Sequence, residues 1–504
     1  MKNSILAIFT VLLITELPVS AKELNLLKLS TSTASFEFDP TRGVGYQQYV
    51  LLSLFCDSLI EISEAGQIVS GIAQSWKSDA GGTSYTFTLN PNAKFHDGRQ
   101  ILASDVAASL SRHFLPTSPS IVKSYLGAAL KSEILNSDGI LSSITIKSKS
   151  EVTIHLRGPY EPFLKILANS AFCIIPADFD SNRPIGSGQF ELVNKSPDKT
   201  VLLKRSVYAR QKSSAFEQIS VKFLKEKADI LNAFKNDQID FAMGLPFSEF
   251  NDSDILTGTA IQNTKSLSIT SVFLNSHTEH FKDREFRHDI AGLFSTMKKD
   301  PRFLSKVDEV QTTFLPKGIM LPSYYQRSPY SLPAATFKHK WSKVLASAKS
   351  LHLVLPMGFF NEQAQALIRE TFSLAGLSLN ISILKGMPLA ESIKNGDYDM
   401  IIIPYAGMYP DPDGFLDLIR PDGLLKASMS KSDGVFFDNM AKSRFILDRT
   451  ARLQGYEVEL RAFEEECYQI PLAQQSLPVL YRTSLDLPDT TFRFHVDLLR
   501  VRPR

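Results

Sequence analysis

Short apolar runs in the C-terminal half of the chain alternate with segments of helical periodicity. The runs are rich in Leu, Ile and Val, as is typical of buried strands, and they lie at 352–355, 379–384 and 400–403. Between them, apolar residues recur at helical spacing from Ala364 to Ala375 and again from Leu389 to Ile393. This alternation of strands and helices predicts a parallel sheet that is covered on both faces. The sequence therefore predicts an α/β lobe that includes residues of about 340–420.

The N-terminal half contains a segment with a different pattern. Apolar residues alternate with threonines from Tyr85 to Leu89, which predicts a strand with one buried face. Farther along, an apolar stripe from Val106 to Phe114 predicts a helix. We interpret residues 60–180 as a mixed α+β insertion between two α/β portions.

Residues 1–21 have the pattern of a secretory signal peptide. Lys2 precedes the apolar run Ile5 to Ile14, and the small residues Val19-Ser20-Ala21 fit a cleavage site. A membrane anchor is the alternative, but the apolar run is about half as long as a spanning helix requires. We expect cleavage near Ala21 and a periplasmic location. No lipoprotein anchor is expected, because no cysteine lies near the cut.

The composition is that of a globular protein with more than one hydrophobic core. At 504 residues the chain exceeds what one core usually holds, so at least two core-bearing units are expected. The 55 Lys and Arg residues nearly balance the 53 Asp and Glu residues, which leaves a net charge of +2. This balance excludes a protein that binds nucleic acid through its charge.

Cys56, Cys173 and Cys467 are the three cysteines of the chain. An odd number in an oxidising compartment leaves at least one thiol outside a disulfide. Cys56 and Cys173 both lie in apolar segments, so burial as small core residues is the favoured interpretation. The sequence does not decide whether any two of them pair.

An ordered series of short motifs runs from Gly71 to Arg112. Its members are Gly71-Ile72-Ala73-Gln74-Ser75-Trp76, Tyr85-Thr86-Phe87-Thr88-Leu89, Lys94-Phe95-His96-Asp97-Gly98, Ala103-Ser104-Asp105-Val106 and Ser109-Leu110-Ser111-Arg112. The series resembles the signature of the family 5 extracellular solute-binding proteins, the peptide- and nickel-binding receptors of ABC importers. The resemblance continues over nearly the whole mature chain, through the segments 184–190, 395–400, 409–416 and 470–472.

The resemblance implies a two-lobed periplasmic binding protein with a hinge between its α/β lobes and an extra α+β subdomain inserted in the first lobe. We expect lobe I to comprise residues 22–60, 181–268 and 473–504. The inserted subdomain is expected at 61–180 and lobe II at 269–472. In this family a ligand closes the lobes, and the permease recognises the closed form.

The loop that leaves the most apolar strand is the predicted ligand site. In open α/β sheets, ligands bind beyond the carboxyl ends of the parallel strands, and this loop begins after Ile403. The expected ligand-binding residues of the loop are Tyr405, Gly407, Met408, Tyr409 and Asp411. On the opposing lobe, family position alone adds Phe36 and Gln474.

Met408 departs from the family pattern. Peptide-binding members have an acidic residue at this position, and it pairs with the free amino terminus of the ligand. A buried ammonium without a counter-charge costs several kcal/mol, so the absence of this carboxylate discriminates against free peptides. Asp411 or Asp413 is an alternative partner, but the neighbouring prolines stiffen the backbone, and capping of the next helix is the favoured role. We hypothesise a ligand that is amino-blocked or uncharged at that end.

The predicted function is delivery of a peptide-like or other medium-sized solute to the permease of an ABC importer. The alternative is a periplasmic sensory or chaperone-like protein that presents a ligand on the same scaffold. We expect a monomer that binds no cofactor. No enzymatic activity is expected, because the sequence has no recognisable set of catalytic residues. No metal site is expected either, since His277 and His280 have no third ligand nearby.

Overall fold

The computed structural model describes residues 26–43, 45–63, 65–211, 213–245, 255–304, 309–326, 331–346, 350–357, 360–416, 434–488 and 497–504. The predicted signal peptide, residues 1–21, lies outside the described residues. In the part that is described, no helix is long and apolar enough to span a membrane.

Strands and helices alternate along most of the described chain. The strands are β1 (Leu26–Thr31), β2 (Ile60–Ile62), β3 (Ile68–Ser70), β4 (Ala73–Ser78), β5 (Ser84–Leu89), β6 (Ile144–Ser148), β7 (Glu151–His155), β8 (Phe190–Lys195), β9 (Thr200–Arg205), β10 (Gln218–Phe223), β11 (Phe241–Met243), β12 (Thr259–Leu274), β13 (Glu309–Val310), β14 (Leu351–Pro356), β15 (Leu379–Leu384), β16 (Met400–Ala406), β17 (Gln469–Arg482), β18 (Leu485–Asp486) and β19 (Arg502–Pro503). The α-helices are α1 (Tyr46–Phe55), α2 (Ala103–Arg112), α3 (Lys123–Ala129), α4 (Phe163–Leu167), α5 (Lys227–Lys235), α6 (Arg284–Met297), α7 (Pro301–Leu304), α8 (Ala334–Lys340), α9 (Ser342–Leu345), α10 (Glu362–Leu374), α11 (Gly386–Asn395), α12 (Asp413–Leu416), α13 (Gly434–Ser443) and α14 (Arg449–Glu466).

One eleven-stranded sheet extends through both lobes. Ten of its strands follow the order β15-β14-β16-β12-β17-β11-β1-β10-β9-β8, and β13 pairs with β17 off this path. Strand β14 is parallel to both β15 and β16, which confirms the parallel α/β arrangement that the sequence predicts for this region. In lobe I, β1 is parallel to β10 and to β11. The carboxyl end of β16 therefore points to the loop that was predicted to bind the ligand.

Two long antiparallel strands, β12 and β17, connect the lobes. Their pairing runs from Thr259 opposite Arg482 to Phe273 opposite Gln469, with register shifts between Thr264 and Ser268 and between Thr270 and Ser271. Near one end β17 also pairs with β11 of lobe I, and near the other β12 pairs with β16 of lobe II. The sheet is thus continuous across both crossings.

The inserted subdomain has its own antiparallel sheet, with the strand order β4-β5-β7-β6. Its buried side chains form one cluster that includes Phe87, Val106, Leu110 and Phe163. The chain leaves the subdomain through a segment in which Gly186 and Gly188 pass close to the backbone of Phe55. A Cβ on Gly186 would lie 2.1 Å from the Phe55 carbonyl oxygen, and one on Gly188 would lie 2.6 Å from its carbonyl carbon. Only glycine fits this close approach.

His96 holds the same exit segment in place. The Gly186 N–H donates to His96 Nδ1 at 3.1 Å, and His96 Nε2 lies 3.0 Å from the Gly188 carbonyl oxygen. Because Nδ1 accepts, the ring proton is on Nε2 and is donated to Gly188. Burial lowers the pKa of His96, which favours this neutral form. Two motifs that lie about 90 residues apart in sequence are thereby joined.

Cys56 and Cys173 form a disulfide, with their Cα atoms 5.6 Å apart. Both are buried in the core of lobe I, which answers the question that the sequence left open. Cys467 lies outside the disulfide, buried in lobe II, with its Sγ 3.6 Å from the carbonyl oxygen of Arg287.

The disulfide is expected to be a major source of stability. It closes a loop with a sequence separation of 117 residues. Replacing both cysteines in the variant Cys56→Ala/Cys173→Ala should lower the free energy of unfolding by about 2–5 kcal/mol, because the unfolded chain gains entropy. Urea denaturation measures the change, and Cys467→Ala serves as the control that keeps the disulfide. Alkylation of the denatured protein without reductant should label Cys467 alone, and labelling of all three cysteines would contradict the pairing.

Candidate functional site

A cavity of about 1090 Å³ lies between the lobes. Lobe I, the inserted subdomain and lobe II all contribute side chains to its wall. The lining includes Tyr46, Tyr49, Asp57, Glu61, Ser266 and Asp497 of lobe I and its adjoining segments, Lys123, Tyr125, Lys165 and Asn169 of the inserted subdomain, and Lys394, Tyr405, Gly407, Met408, Tyr409 and Phe415 of lobe II. Its size and its position at the ends of parallel strands make it the candidate ligand site.

Four of the predicted ligand-binding residues meet at this cavity. Tyr405, Gly407, Met408 and Tyr409 all line it. Tyr405 is the second-to-last residue of strand β16, and its hydroxyl donates to the carbonyl oxygen of Phe314 at 3.1 Å. Its ring therefore has a fixed position at the start of the loop.

Gly407 is required by the packing of the loop against Phe415. A Cβ on this residue would lie 2.3 Å from Cε2 of the Phe415 ring. The ring is buried and belongs to a core cluster of lobe II, so it has little room to retreat. The absence of a side chain at Gly407 thus brings the aromatic ring against the loop backbone.

Asp411 does not line the cavity. Its two carboxylate oxygens accept from Arg452 at 2.9 and 2.6 Å, and the Asp411 and Arg452 side chains are 2% and 0% exposed. Burial raises the pKa of Asp411, and the two contacts with Arg452 oppose this shift. The structure places Asp411 in this ion pair and not in the cavity wall, so its geometry does not support the expected ligand contact, because Arg452 uses both of its oxygens.

Asp413 is likewise held within lobe II. The guanidinium of Arg444 donates to Asp413 Oδ1 at 3.0 and 2.6 Å, and the hydroxyl of Tyr160 donates to Asp413 Oδ2. The hydroxyls of Tyr160 and Tyr409 are 2.8 Å apart. Because Tyr160 gives its one hydrogen to Asp413, Tyr409 is the donor in this second bond. Burial raises the pKa of both phenols, which keeps them protonated.

The inserted subdomain contacts the ligand loop directly. Asn169 Nδ2 donates to the carbonyl oxygen of Met408 at 3.1 Å. Glu161 accepts from Arg452 at 2.7 Å, and the Met408 side chain packs against the core of the subdomain. The loop is therefore positioned from both sides of the cleft.

Phe36 and Gln474, the two candidates from family position, do not line the cavity. Phe36 is buried in the lobe I core, where it stacks on Phe38 with the ring centroids 4.1 Å apart. Gln474 lies in β17 and donates to the carbonyl oxygen of Ser266 at 2.8 Å. Gln474 also accepts from Gln311 at 3.0 Å, so it supports the cavity wall through Ser266. The direction of these two side chains does not support the direct ligand contacts that were expected of them.

Sequence reasoning missed a charged cluster on the lobe I wall. Asp57 and Glu61 line the cavity and share the guanidinium of Arg210, which lies 3.2 Å from Asp57 Oδ2 and also contacts Glu61 Oε1. Burial raises the pKa of Asp57 to about 7, Arg210 opposes this shift, and Glu61 adds to it. No local signal joins Arg210 to the other two, because it is 149 residues from Glu61 in sequence.

The sequence also gave no assignment to two tyrosines of α1. Tyr46 and Tyr49 line the cavity, and their spacing of three residues places both on one side of the helix. This spacing could have indicated from the sequence that the two rings share one face of a helix. Among the described residues, no group of three or more His, Cys, Asp or Glu side chains is arranged to hold a metal ion.

Breaking the buried ion pair should destabilise the protein strongly. Arg452→Met leaves Asp411 buried without a cation, which is expected to lower the free energy of unfolding by about 3–5 kcal/mol. Arg461→Met on the same helix is the matched control, since the pair of Arg461 with Glu457 lies nearer the surface and should contribute less than about 1 kcal/mol. Chemical denaturation of both variants measures the difference. Equal losses would contradict the role assigned to Arg452.

Gly407→Ala tests the close packing of the loop. The added Cβ must displace the Phe415 ring, and we expect a loss of about 1–3 kcal/mol in the free energy of unfolding. Gly81→Ala is the control, because its nearest neighbour to a new Cβ is 3.7 Å away. A Gly407→Ala variant as stable as the control would show that the ring can move without cost.

Comparison with known proteins places this chain in a family. The model of the bacterial extracellular solute-binding proteins, family 5 Middle, matches residues 67–423. The chain is 24% identical to the probable D,D-dipeptide-binding periplasmic protein DdpA of Escherichia coli (strain K12), over 69% of this chain and 67% of the relative.

Solved structures have the same fold. The periplasmic binding protein DppA of Helicobacter pylori, in complex with the peptide STSA, superposes with a TM-score of 0.79 at 16% identity, over 96% of this chain and 100% of that one. NikA of Brucella suis, in complex with Fe(III)-EDTA, superposes with a TM-score of 0.79 at 18% identity, over 95% and 100% of the two chains. The chain is a two-lobed binding protein that belongs to family 5 of the bacterial extracellular solute-binding proteins.

Proposed function

We propose that the chain is the periplasmic solute-binding protein of an ABC importer. It binds a peptide-like or other medium-sized solute in the cavity between the lobes, without catalysis, and delivers it to a permease as a monomer. The family and its relatives, which include di- and tripeptide-binding proteins, support this function. The division into lobe I, inserted subdomain and lobe II at the predicted boundaries is part of the proposal.

The ligand is proposed to be amino-blocked or otherwise without an ammonium at the end that faces Met408. The observation that carries this proposal is the state of the loop carboxylates. Met408 has no carboxylate. Asp411 forms an ion pair with Arg452, and Asp413 forms one with Arg444. An ammonium at this end of the cavity would be desolvated without a partner, at a cost of several kcal/mol.

The remaining charges of the wall support the same conclusion. Asp57 and Glu61 share Arg210, and Asp497 Oδ2 lies 3.0 Å from Nε of Arg500. Lys165 is paired with Glu161 at 3.2 Å.

Two lining lysines have no such partner. Lys123 and Lys394 form no ion pair with any residue that the structure describes. Since the lining carboxylates are matched and these two cations are not, the cavity favours a ligand that carries an anionic group.

Thermal-shift measurements on the purified mature protein test the proposal. N-acetylated tri- to pentapeptides should raise the melting temperature, and the same peptides with free amino termini should not. Met408→Asp should reverse this preference, because it supplies a carboxylate for the ammonium. Met408→Asn is the uncharged control and should keep the wild-type preference. Strong stabilisation of the wild type by free peptides that is lost on acetylation would overturn the proposal.

A further inference from the structure

Four tyrosines line the cavity from opposite sides. Tyr46 and Tyr49 extend from α1 of lobe I, and Tyr405 and Tyr409 extend from the end of β16 and its loop in lobe II. Tyr125 of the inserted subdomain also lines the cavity, and its ring packs edge-on against Tyr409 with the centroids 6.1 Å apart. We call the first four residues the tyrosine wall.

The hydroxyls of the tyrosine wall are engaged by the protein itself. Tyr49 donates to the carbonyl oxygen of Gly43 at 3.1 Å, and Tyr405 donates to that of Phe314 at 3.1 Å. Tyr409 donates to Tyr160, as shown above. A phenol has a single hydrogen to donate, so these three hydroxyls have none left for a ligand.

The hydrogen bond between Tyr46 and the backbone of Gly244 lowers the pKa of the phenol, so the Gly244 N–H is the donor and Tyr46 keeps its own hydrogen. Tyr409 is 3% exposed. Tyr49 and Tyr405, which have no hydrogen left to donate, therefore offer a ligand chiefly their ring surface.

Neighbouring aromatic rings fix the lobe II part of the wall. Tyr405 packs against Phe415 with the centroids 6.2 Å apart at 76°, and against Phe314 with the centroids 5.9 Å apart. Rings that are held in place by packing and by a hydrogen bond lose little entropy when a ligand contacts them. A flat apolar group gains most from such rings, because offset and edge-to-face contacts are favourable beyond the area that they bury.

We propose that the tyrosine wall selects ligands with a flat, apolar face, such as an aromatic ring or the carbon face of a sugar, and that Tyr49 and Tyr405 contact this face with their rings and not with their hydroxyls. This inference rests on the proposed function, because it takes the cavity between the lobes as the ligand site.

Binding of matched probes tests the inference. Calorimetry would compare N-acetyl-Ala-Phe-Ala with N-acetyl-Ala-Leu-Ala, together with the same two peptides bearing free amino termini. The disaccharide N,N′-diacetylchitobiose tests the sugar source of a flat face. We expect the acetylated Phe peptide to bind roughly 2- to 10-fold more tightly than the Leu peptide.

The variants separate the rings from the hydroxyls. In Tyr49→Leu and Tyr405→Leu the ratio of the two affinities should fall to near one, and Tyr49→Phe and Tyr405→Phe should recover it. Tyr208→Leu is the matched control, because Tyr208 is 40% exposed and outside the cavity wall. Thermal denaturation of each variant confirms that it is folded before its affinities are compared.

The outcomes distinguish the two proposals. Equal affinities of the wild type for the Phe and Leu peptides, with no binding of the disaccharide, would overturn the tyrosine wall as a selective element. Loss of the preference for the Phe peptide in the Tyr→Phe variants would overturn the statement that these hydroxyls do not contact the ligand.

Selective binding of the free Phe peptide alone would support the tyrosine wall and overturn the amino-blocked ligand. Disaccharide binding that is lost in the Tyr→Leu variants would support the wall with a sugar face as its occupant, and binding of no probe would overturn both proposals.

Discussion

The guanidinium of Arg452 is the constraint on which the cleft depends. It is fully buried and donates to both oxygens of Asp411 and to Glu161 of the inserted subdomain. A buried carboxylate is tolerated only when it is paired, so the conformation of the loop after β16 follows from the position of this one side chain on α14. The same contact brings the subdomain against lobe II. Arg452 thus places Met408 and Tyr409, which lie in the loop just before Asp411.

The character of the cavity follows from this arrangement. The loop after β16 uses its acidic groups, Asp411 and Asp413, for internal ion pairs with Arg452 and Arg444. On the lobe I wall, Asp57 and Glu61 are matched by Arg210 in the same way. The acidic groups of the wall are thus neutralised from within, and its ring and methionine surfaces are available for apolar contact. Under the proposed function, apolar contact of this kind tolerates varied ligands, and the lack of a counter-charge disfavours a free ammonium.

The parts of the fold that were predictable are those whose signals are local. The parallel strands β14, β15 and β16 follow from periodicity in a continuous segment, and the loop at Tyr405 follows from the end of a strand. The role of Asp411 was not predictable in this way, because its partner Arg452 is 41 residues away and nothing near Asp411 indicates the contact.

The other site assignments depended on the direction of side chains, which the sequence does not show. Gln474 faces Ser266, a direction that depends on the register of β17 within a sheet built from distant segments. Phe36 lies outside the strands and packs into the lobe I core against Phe38 and Phe55. The Cys56–Cys173 disulfide joins residues with a sequence separation of 117, and no local pattern indicates that they meet. Sequence therefore located the candidate site to within a loop, and only tertiary packing separated the residues that line the cavity from those that do not.

The distribution of ion pairs also bears on how the cavity opens. The pairs Asp411–Arg452 and Asp413–Arg444 each lie within lobe II, so both survive when the inserted subdomain moves away. Of the hydrogen bonds described above, four cross the cleft between the inserted subdomain and lobe II. They join Arg452 to Glu161, Asn169 to Met408, and Tyr160 to both Asp413 and Tyr409.

These crossing groups can be hydrated when the cleft opens, and each such exchange costs little because hydrogen bonds to water replace those within the protein. Glu161 keeps Lys165 as a partner within its own subdomain. No carboxylate of this set is left buried and unpaired by the motion. The buried ion pairs that hold the loop lie within lobe II, and the polar contacts described above that cross the cleft are hydrogen bonds and one ion pair that water can replace. This division is compatible with a loop that keeps its shape while the lobes open and close about a hinge.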